Sequence, residues 1–241
     1  MTSYMMKYIT IALLFFSSPV LSKSLNSFDV WIPSGWKLIS TTTGDLNKDG
    51  VEDAVLVLEE MNPANLKPNK MLGPSVLNVN PRRLLVLLKT HGAYREILSK
   101  DSLLPSANDE DSPCLDDPLI EQGGISIRNG KLAIKLGTFL YCGSYGVNHR
   151  TFTFRLEKTR FRLIGYDYSE FFRSSGEASE CSINYLTGKK KTITGLNYFF
   201  EERPKVLWSR ISGKKTFYLD EISFNCYSNN GYSCDEDRQE E

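Results

Sequence analysis

The stretch "GGISIRNGKLAIKLG", residues 123 to 137, alternates apolar and polar side chains on both sides of an Asn-Gly pair. A period of two belongs to a half-buried strand, and Asn-Gly readily supplies the two positive φ values of a type I′ turn. A hairpin turning at Asn129-Gly130 sets Ile127 opposite Leu132 and Ile125 opposite Ile134 on one face, with Ser126, Arg128 and Ala133 on the other. A slip of one residue would expose every one of these apolar groups, so the pattern constrains register as well as fold class.

The same alternation recurs along the chain. Phe152, Phe154 and Leu156 alternate with polar neighbours, and Phe161 and Leu163 continue it after a turn near Lys158 and Thr159. The stretch "CSINYLTGKKKTITG" predicts a third hairpin turning at Thr187-Gly188. Earlier strands are expected from Trp36 to Thr42, Ala54 to Leu58, Arg82 to Lys89 and Tyr94 to Ile97. Helical periodicity is almost absent, so the expectation is an all-β chain of antiparallel hairpins and meanders. Two arrangements fit it, a degenerate or partial β-propeller and a β-sandwich. The Pro- and Asn-rich segment from Asn62 to Pro81 has no sustained period and reads as a long loop. Asp109, Glu110, Asp111, Asp116 and Asp117 crowd another loop; without a fixed ligand spacing they read as solvated charge, with a metal site as runner-up.

Lys7 precedes an apolar stretch from Tyr8 to Phe16, and small residues Val20 and Ser22 follow where a cleavage site would need them. Residues 1–22 are therefore expected to be a secretory signal peptide. The stretch falls short of the roughly 20 apolar residues of a membrane-spanning helix, and no later segment approaches that length. Residues 23–234 are expected to form a single mostly β domain, and residues 235–241, "DEDRQEE", an acidic disordered tail. The expected location is periplasmic or secreted. With 29 Lys and Arg against 29 Asp and Glu, no global field draws the chain to nucleic acid. Five cysteines in an exported chain suggest disulfides with one thiol left over. Cys226 and Cys234 face each other across a turn at Asn229-Asn230-Gly231 and are expected to pair; among Cys114, Cys142 and Cys181 the sequence does not choose.

Chemistry concentrates in "GDLNKDGVED", residues 44–53. Calcium takes six to eight hard oxygen ligands, which loops supply from alternate positions. With Asp45 as position 1, Asn47 and Asp49 fall at positions 3 and 5, Gly50 at the sharp turn, the Val51 carbonyl at 7 and Asp53 at 9. A plain Asp-Gly turn does not account for carboxylates at positions 1, 5 and 9, which repel one another without a cation. Asp45, Asn47, Asp49, Val51 and Asp53 are therefore the expected ligands of a structural Ca2+. A helical calcium hand would need Glu at position 12, where Leu56 stands, and this loop runs into an apolar strand. The pattern D-x-N-x-D-G-x-x-D followed by a strand resembles the calcium loops of integrin-type FG-GAP and VCBS repeats. That resemblance covers some 20 residues and implies a strand–loop–strand setting in an extracellular binding module of bacterial origin. A propeller would repeat the motif from blade to blade, and no second copy follows Asp53.

Catalytic signals are sparse. His91 and His149 are the two imidazoles, and neither stands in a nucleophile-elbow or HExxH arrangement. Neighbouring carboxylates such as Glu59-Glu60, Asp116-Asp117 and Glu201-Glu202 point to opposite faces of a strand and do not converge by themselves. Trp31, Trp36, Trp208 and the run from Tyr166 to Phe172 read mostly as packing, with some forming a recognition patch. The expected function is an exported, non-enzymatic binding protein with a structural calcium loop. Its partner would be an envelope or extracellular protein or glycan, with no nucleic acid and no membrane span. The alternative is a cell-envelope polysaccharide hydrolase using loop carboxylates.

Overall fold

A computed structural model describes residues 28–201, 203–211, 216–222 and 224. The expected signal peptide (1–22), the acidic tail (235–241) and the expected Cys226–Cys234 pair lie outside the described residues. The chain divides into two compact units, Met1–Trp31 and Ile32–Glu241. In the first, the described residues form one 3-10 turn, Asp29–Trp31, in which the Trp31 N–H donates to the Phe28 carbonyl. The second holds the β fold.

In chain order its strands are β1 (Trp36–Gly44), β2 (Asp53–Glu60), β3 (Leu66–Pro68), β4 (Val76–Asn78), β5 (Arg82–Thr90), β6 (Ala93–Leu104) and β7 (Gly124–Arg128). They continue with β8 (Lys131–Phe139), β9 (Gly146–Glu157), β10 (Arg160–Phe172), β11 (Glu177–Asn184), β12 (Lys189–Asn197) and β13 (Lys205–Arg210). All pairings are antiparallel. One sheet has the order β1-β2-β5-β6, the second is a seven-stranded meander from β7 to β13, and β3 pairs with β4 alone. Val55, Val57, Leu84 and Val86 from the first sheet share a core with Leu132, Ile134, Phe152, Phe154 and Leu163 from the second. Two sheets closed on one core make a sandwich, the second of the two expected arrangements, rather than radial blades.

The three expected hairpins form as the alternation dictates. Ile125 pairs with Ile134 and Ile127 with Leu132, and Asn129 and Gly130 take φ values of 53° and 69°. Phe161 pairs with Leu156, and Leu163 with Phe154, after a turn at Lys158 with φ 60°. Between β11 and β12 the Asn184 carboxamide accepts the N–H groups of Leu186 and Thr187, and Gly188 closes the turn at φ 68°. His91, with φ 52°, is the turn residue between β5 and β6.

The segment from Asn62 to Pro81 departs from expectation, because it contains the 3-10 turn Pro63–Asn65 and the β3–β4 hairpin. Its order comes from asparagine side chains rather than from periodicity. Asn62 caps the turn by accepting the Ala64 N–H, and Asn69 accepts from Met71 N while donating to the carbonyls of Leu72 and Pro74. Cys114 and Cys142 form the disulfide the sequence left open, with Cα atoms 5.7 Å apart, and Cys181 is also a disulfide cysteine.

Where β1 meets β7 the sheets abut. The Thr42 hydroxyl donates to the Ile125 carbonyl at 3.2 Å, and a Cβ on Gly44 would lie 2.7 Å from the Ile127 side chain. Glycine is needed there for closeness of approach, and the contact carries the 45–53 loop toward the β7–β8 turn.

At the opposite end of β2 a buried charge network fixes the sheet. Arg82 and Glu59, 2% and 3% exposed, pair through Nε and Oε2 at 3.2 Å. The remaining Arg82 donors engage the Asp117 carboxylate in a bidentate pair and the Pro105 carbonyl. Glu59 also accepts from Lys37 at 2.8 Å and from Asn78 at 2.9 Å. Burial pushes the Glu59 carboxyl up, but Lys37, Asn78 and Arg82 together bring it below the usual range. Asp117, expected as solvated loop charge, is thus a structural counterion.

Removing one member leaves its partners buried and uncompensated, so Arg82→Met is expected to cost about 3–5 kcal/mol in denaturant unfolding, and adding Glu59→Gln is expected to recover part of it. Because the folded Glu59 value is depressed, its contribution is complete above the unfolded pKa of about 4.3 and lost as pH falls through the folded value. Acid unfolding of Glu59→Gln should be correspondingly less steep.

Candidate functional site

The loop between β1 and β2 is built by its own polar side chains. Asp45 Oδ1 accepts the N–H of Lys48 at 2.6 Å and of Asp49 at 3.2 Å, while Oδ2 accepts the Gly50 N–H at 2.9 Å. Asn47 Oδ1 accepts from Asp49 N at 3.0 Å, and its amide donates to Asp49 Oδ2 at 2.8 Å. Asp49 Oδ1 accepts from Val51 N at 2.8 Å. Lys48 and Gly50 take positive φ, 65° and 84°; Gly50 meets no neighbour within 4 Å, so the backbone conformation alone calls for glycine there.

Asp53 stands apart from the others. It is fully buried, with Oδ2 accepting the Leu46 N–H at 2.8 Å and Oδ1 the Lys89 N–H at 2.9 Å. The side chain thus ties the start of the loop to the end of β5, 36 residues away. Burial pushes its carboxyl above the usual range; the Lys89 and Leu46 N–H groups pull it partly back, and the negative charges of Asp49 and Asp45 push it up again.

The structure therefore brings Asp45, Asn47 and Asp49 into direct contact and holds Asp53 within their electrostatic reach. Among the described residues no group of three or more His, Cys, Asp or Glu side chains is assembled to hold a metal ion. The donor set is chemically right for calcium, being entirely hard oxygen, but backbone N–H groups now occupy lone pairs that an ion would share. Beside the loop, Asp45, Lys48, Ile127, Asn129 and Gly130 line a hollow of about 440 Å³.

Sequence reasoning missed a second feature, on the outer face of the seven-stranded sheet. There Lys135, His149, Thr151, Asp167, Ser169 and Glu180 help line an open groove of about 450 Å³. The Ser182 hydroxyl donates to Asp167 Oδ1 at 2.6 Å. His149 is half-buried, and burial followed by the Lys135 charge pushes its imidazole below its usual range, leaving it neutral at neutral pH. Lys135, Thr151, Asp167 and Glu180 each stand next to a buried residue on their strands, so the polar face was visible strand by strand. Their juxtaposition depends on the β8–β9, β9–β10 and β10–β11 registers at once, which no local pattern states.

Comparison of the chain with protein-family models, with curated proteins and with solved structures finds no match. No helix among the described residues is long and apolar enough to cross a membrane.

The raised Asp53 value has a measurable consequence. In calcium-free buffer its side-chain carbonyl carbon, followed by NMR, is expected to titrate above the ordinary Asp value of about 3.9. The associated stability is fully present below the unfolded pKa and is lost as pH rises through the raised folded value.

Proposed function

We propose that this chain is an exported, non-enzymatic binding protein whose loop takes a structural calcium ion. The observation that carries the binding reading is the set of aromatic side chains left in solvent on a rigid β scaffold: Tyr198, Phe199, Phe200 and Trp208 are 55–67% exposed. Tyr198, Phe199 and Phe200 follow the end of β12 and Trp208 stands toward its other end on β13, and exposed aromatic groups of this kind mark recognition surfaces. The disulfide and the reading of the N-terminus support export.

For the metal, the candidate ligands are Asp45, Asn47, Asp49, the Val51 carbonyl and Asp53, in the FG-GAP-like order read from the sequence. Asp45 and Asp49 would turn one oxygen each from backbone N–H groups to the ion. The ion would offset the mutual repulsion of three carboxylates and fasten the loop. Loops of extracellular modules bind in the 10⁻⁴–10⁻³ M range, which at 10 mM calcium adds roughly 1.4–2.7 kcal/mol. For a domain of this size that raises Tm by about 3–10 °C. The same rise should be absent in Asp49→Ala; a wild-type Tm indifferent to 10 mM calcium would remove the metal from this reading.

A second reading, hydrolysis of an envelope polysaccharide, draws on Asp167 and Glu180, which line one groove from adjacent strands. Both are exposed, whereas the general acid of a glycosidase sits in an apolar pocket. Incubation with insoluble envelope material separates the two readings. The protein is expected to sediment with the material and release no soluble reducing ends; their release would replace binding by hydrolysis.

A further inference from the structure

The geometry points to the outer face of the seven-stranded sheet as a binding site for a linear, negatively charged glycan, with its acidic groups at the β12–β13 end and a sugar ring on Trp208. This names the ligand class for the binding reading above and rests on it, though not on the metal.

Register builds the site. Lys135 pairs with Thr151, Thr151 with Asp167, Asp167 with Ser182, Ser182 with Lys191, and Lys191 with Trp208. These six side chains form one row across six strands, because directly paired residues share a face. Five inter-strand spacings span about 24 Å, the scale of an oligosaccharide rather than one sugar. The groove lies along this row, between the two lysines.

At its far end the indole is 62% exposed, and Lys191 Nζ lies 6.0 Å from the ring centre. Lys189 pairs with Arg210 on the same face, and these two cations line a further hollow of about 340 Å³ with Trp208 and Ser209. Lys189, Lys191 and Arg210 thus lie near Trp208, and Asp167, the carboxylate of the row, lies farther in. Such an end suits a ring that stacks while its carboxylate or sulfate meets Lys189, Lys191 or Arg210.

The middle of the row discriminates between ligand classes. Within the row Thr151 and Ser182 carry hydroxyls and Asp167 accepts; beside it in the groove His149 both donates and accepts, and Glu180 accepts. Sugar hydroxyls satisfy both kinds of partner along their length. A nucleic-acid strand or polyacidic peptide would set its own anions against Asp167 and Glu180, which favours the glycan.

The test is calorimetric titration of the purified protein, in EDTA, with cellotetraose carrying a single uronate at one end and with neutral cellotetraose. Wild type is expected to bind the uronate more tightly. Trp208→Ala, at an exposed position, should weaken both roughly tenfold through loss of ring stacking. Lys191→Gln should weaken the uronate roughly threefold to tenfold and leave cellotetraose unchanged. Failure of wild type to bind either sugar, or undiminished binding by Trp208→Ala, overturns the site. Equal competition by polyglutamate overturns the glycan in favour of a peptide. Cleavage of the tetrasaccharide, seen by mass spectrometry, would uphold the site and overturn the non-enzymatic reading.

Discussion

A guanidinium with 2% of its surface exposed sits at the start of β5, and the smaller sheet is organised around its need for partners. A buried charge of this kind is tolerated only when nearly every donor is engaged. Arg82 meets that condition by drawing Glu59 from β2, the Pro105 carbonyl and the Asp117 carboxylate to one place. Asp117 Oδ1 in turn accepts the N–H groups of Leu119 and Ile120, so the counterion also shapes the turn that leads toward β7. Asp53 performs a comparable task at the other end of β2. The apolar run from Ala54 to Leu58 is therefore bracketed by two buried carboxylates, each bound to a different part of the chain. A one-residue slip of β2 would unseat both from their partners, which ties the register of this continuous apolar strand to electrostatics.

Hairpins were legible in the sequence because their determinants are local. Asn129-Gly130, Lys158-Thr159 and Thr187-Gly188 carry the turn, and the flanking alternation sets the pairs. The division into a four-stranded and a seven-stranded sheet was not legible, since it depends on which hairpin edges meet and which core faces close together. Nor was β3–β4: its pairing rests on the turn chemistry of Asn62 and Asn69, which leaves no period of two. Charge was read least well. In sequence Arg82, Glu59 and Asp117 look like residues of a solvated surface, and only contacts spanning 23 and 35 positions make them interior.

At the candidate site, spacing predicted which side chains would gather at the turn but not what they would hold. Asp45, Asn47 and Asp49 engage each other and the loop backbone, as alternate positions in a tight turn must. Asp53 follows a different rule, because β2 begins there and carries it into the interior. Its partner at Lys89 belongs to another strand, and that link appears only once the sheet is assembled. The outer groove lies at the far limit of legibility, being a product of consecutive registers that each had to be right.

The two N–H bonds to Asp53 bear on what an ion in the loop would do. A buried carboxylate without donors would depend on a cation for its charge, and such a protein would fold only when loaded. Here Leu46 and Lys89 supply part of that compensation from the backbone, so the sheet end is held without metal. What they leave uncompensated is chiefly the burial of the Asp53 charge and, after it, the repulsion from Asp49 and Asp45, which together keep that carboxyl raised. An ion acting on that remainder would tighten a loop that already exists, and weak binding would suffice for it. The effect would reach β5 through Lys89, and the close approach of Gly44 to Ile127 would pass it to the edge of the larger sheet. On this reasoning a calcium ion and an outer-face ligand would act on separate parts of one scaffold, joined by packing rather than by shared residues.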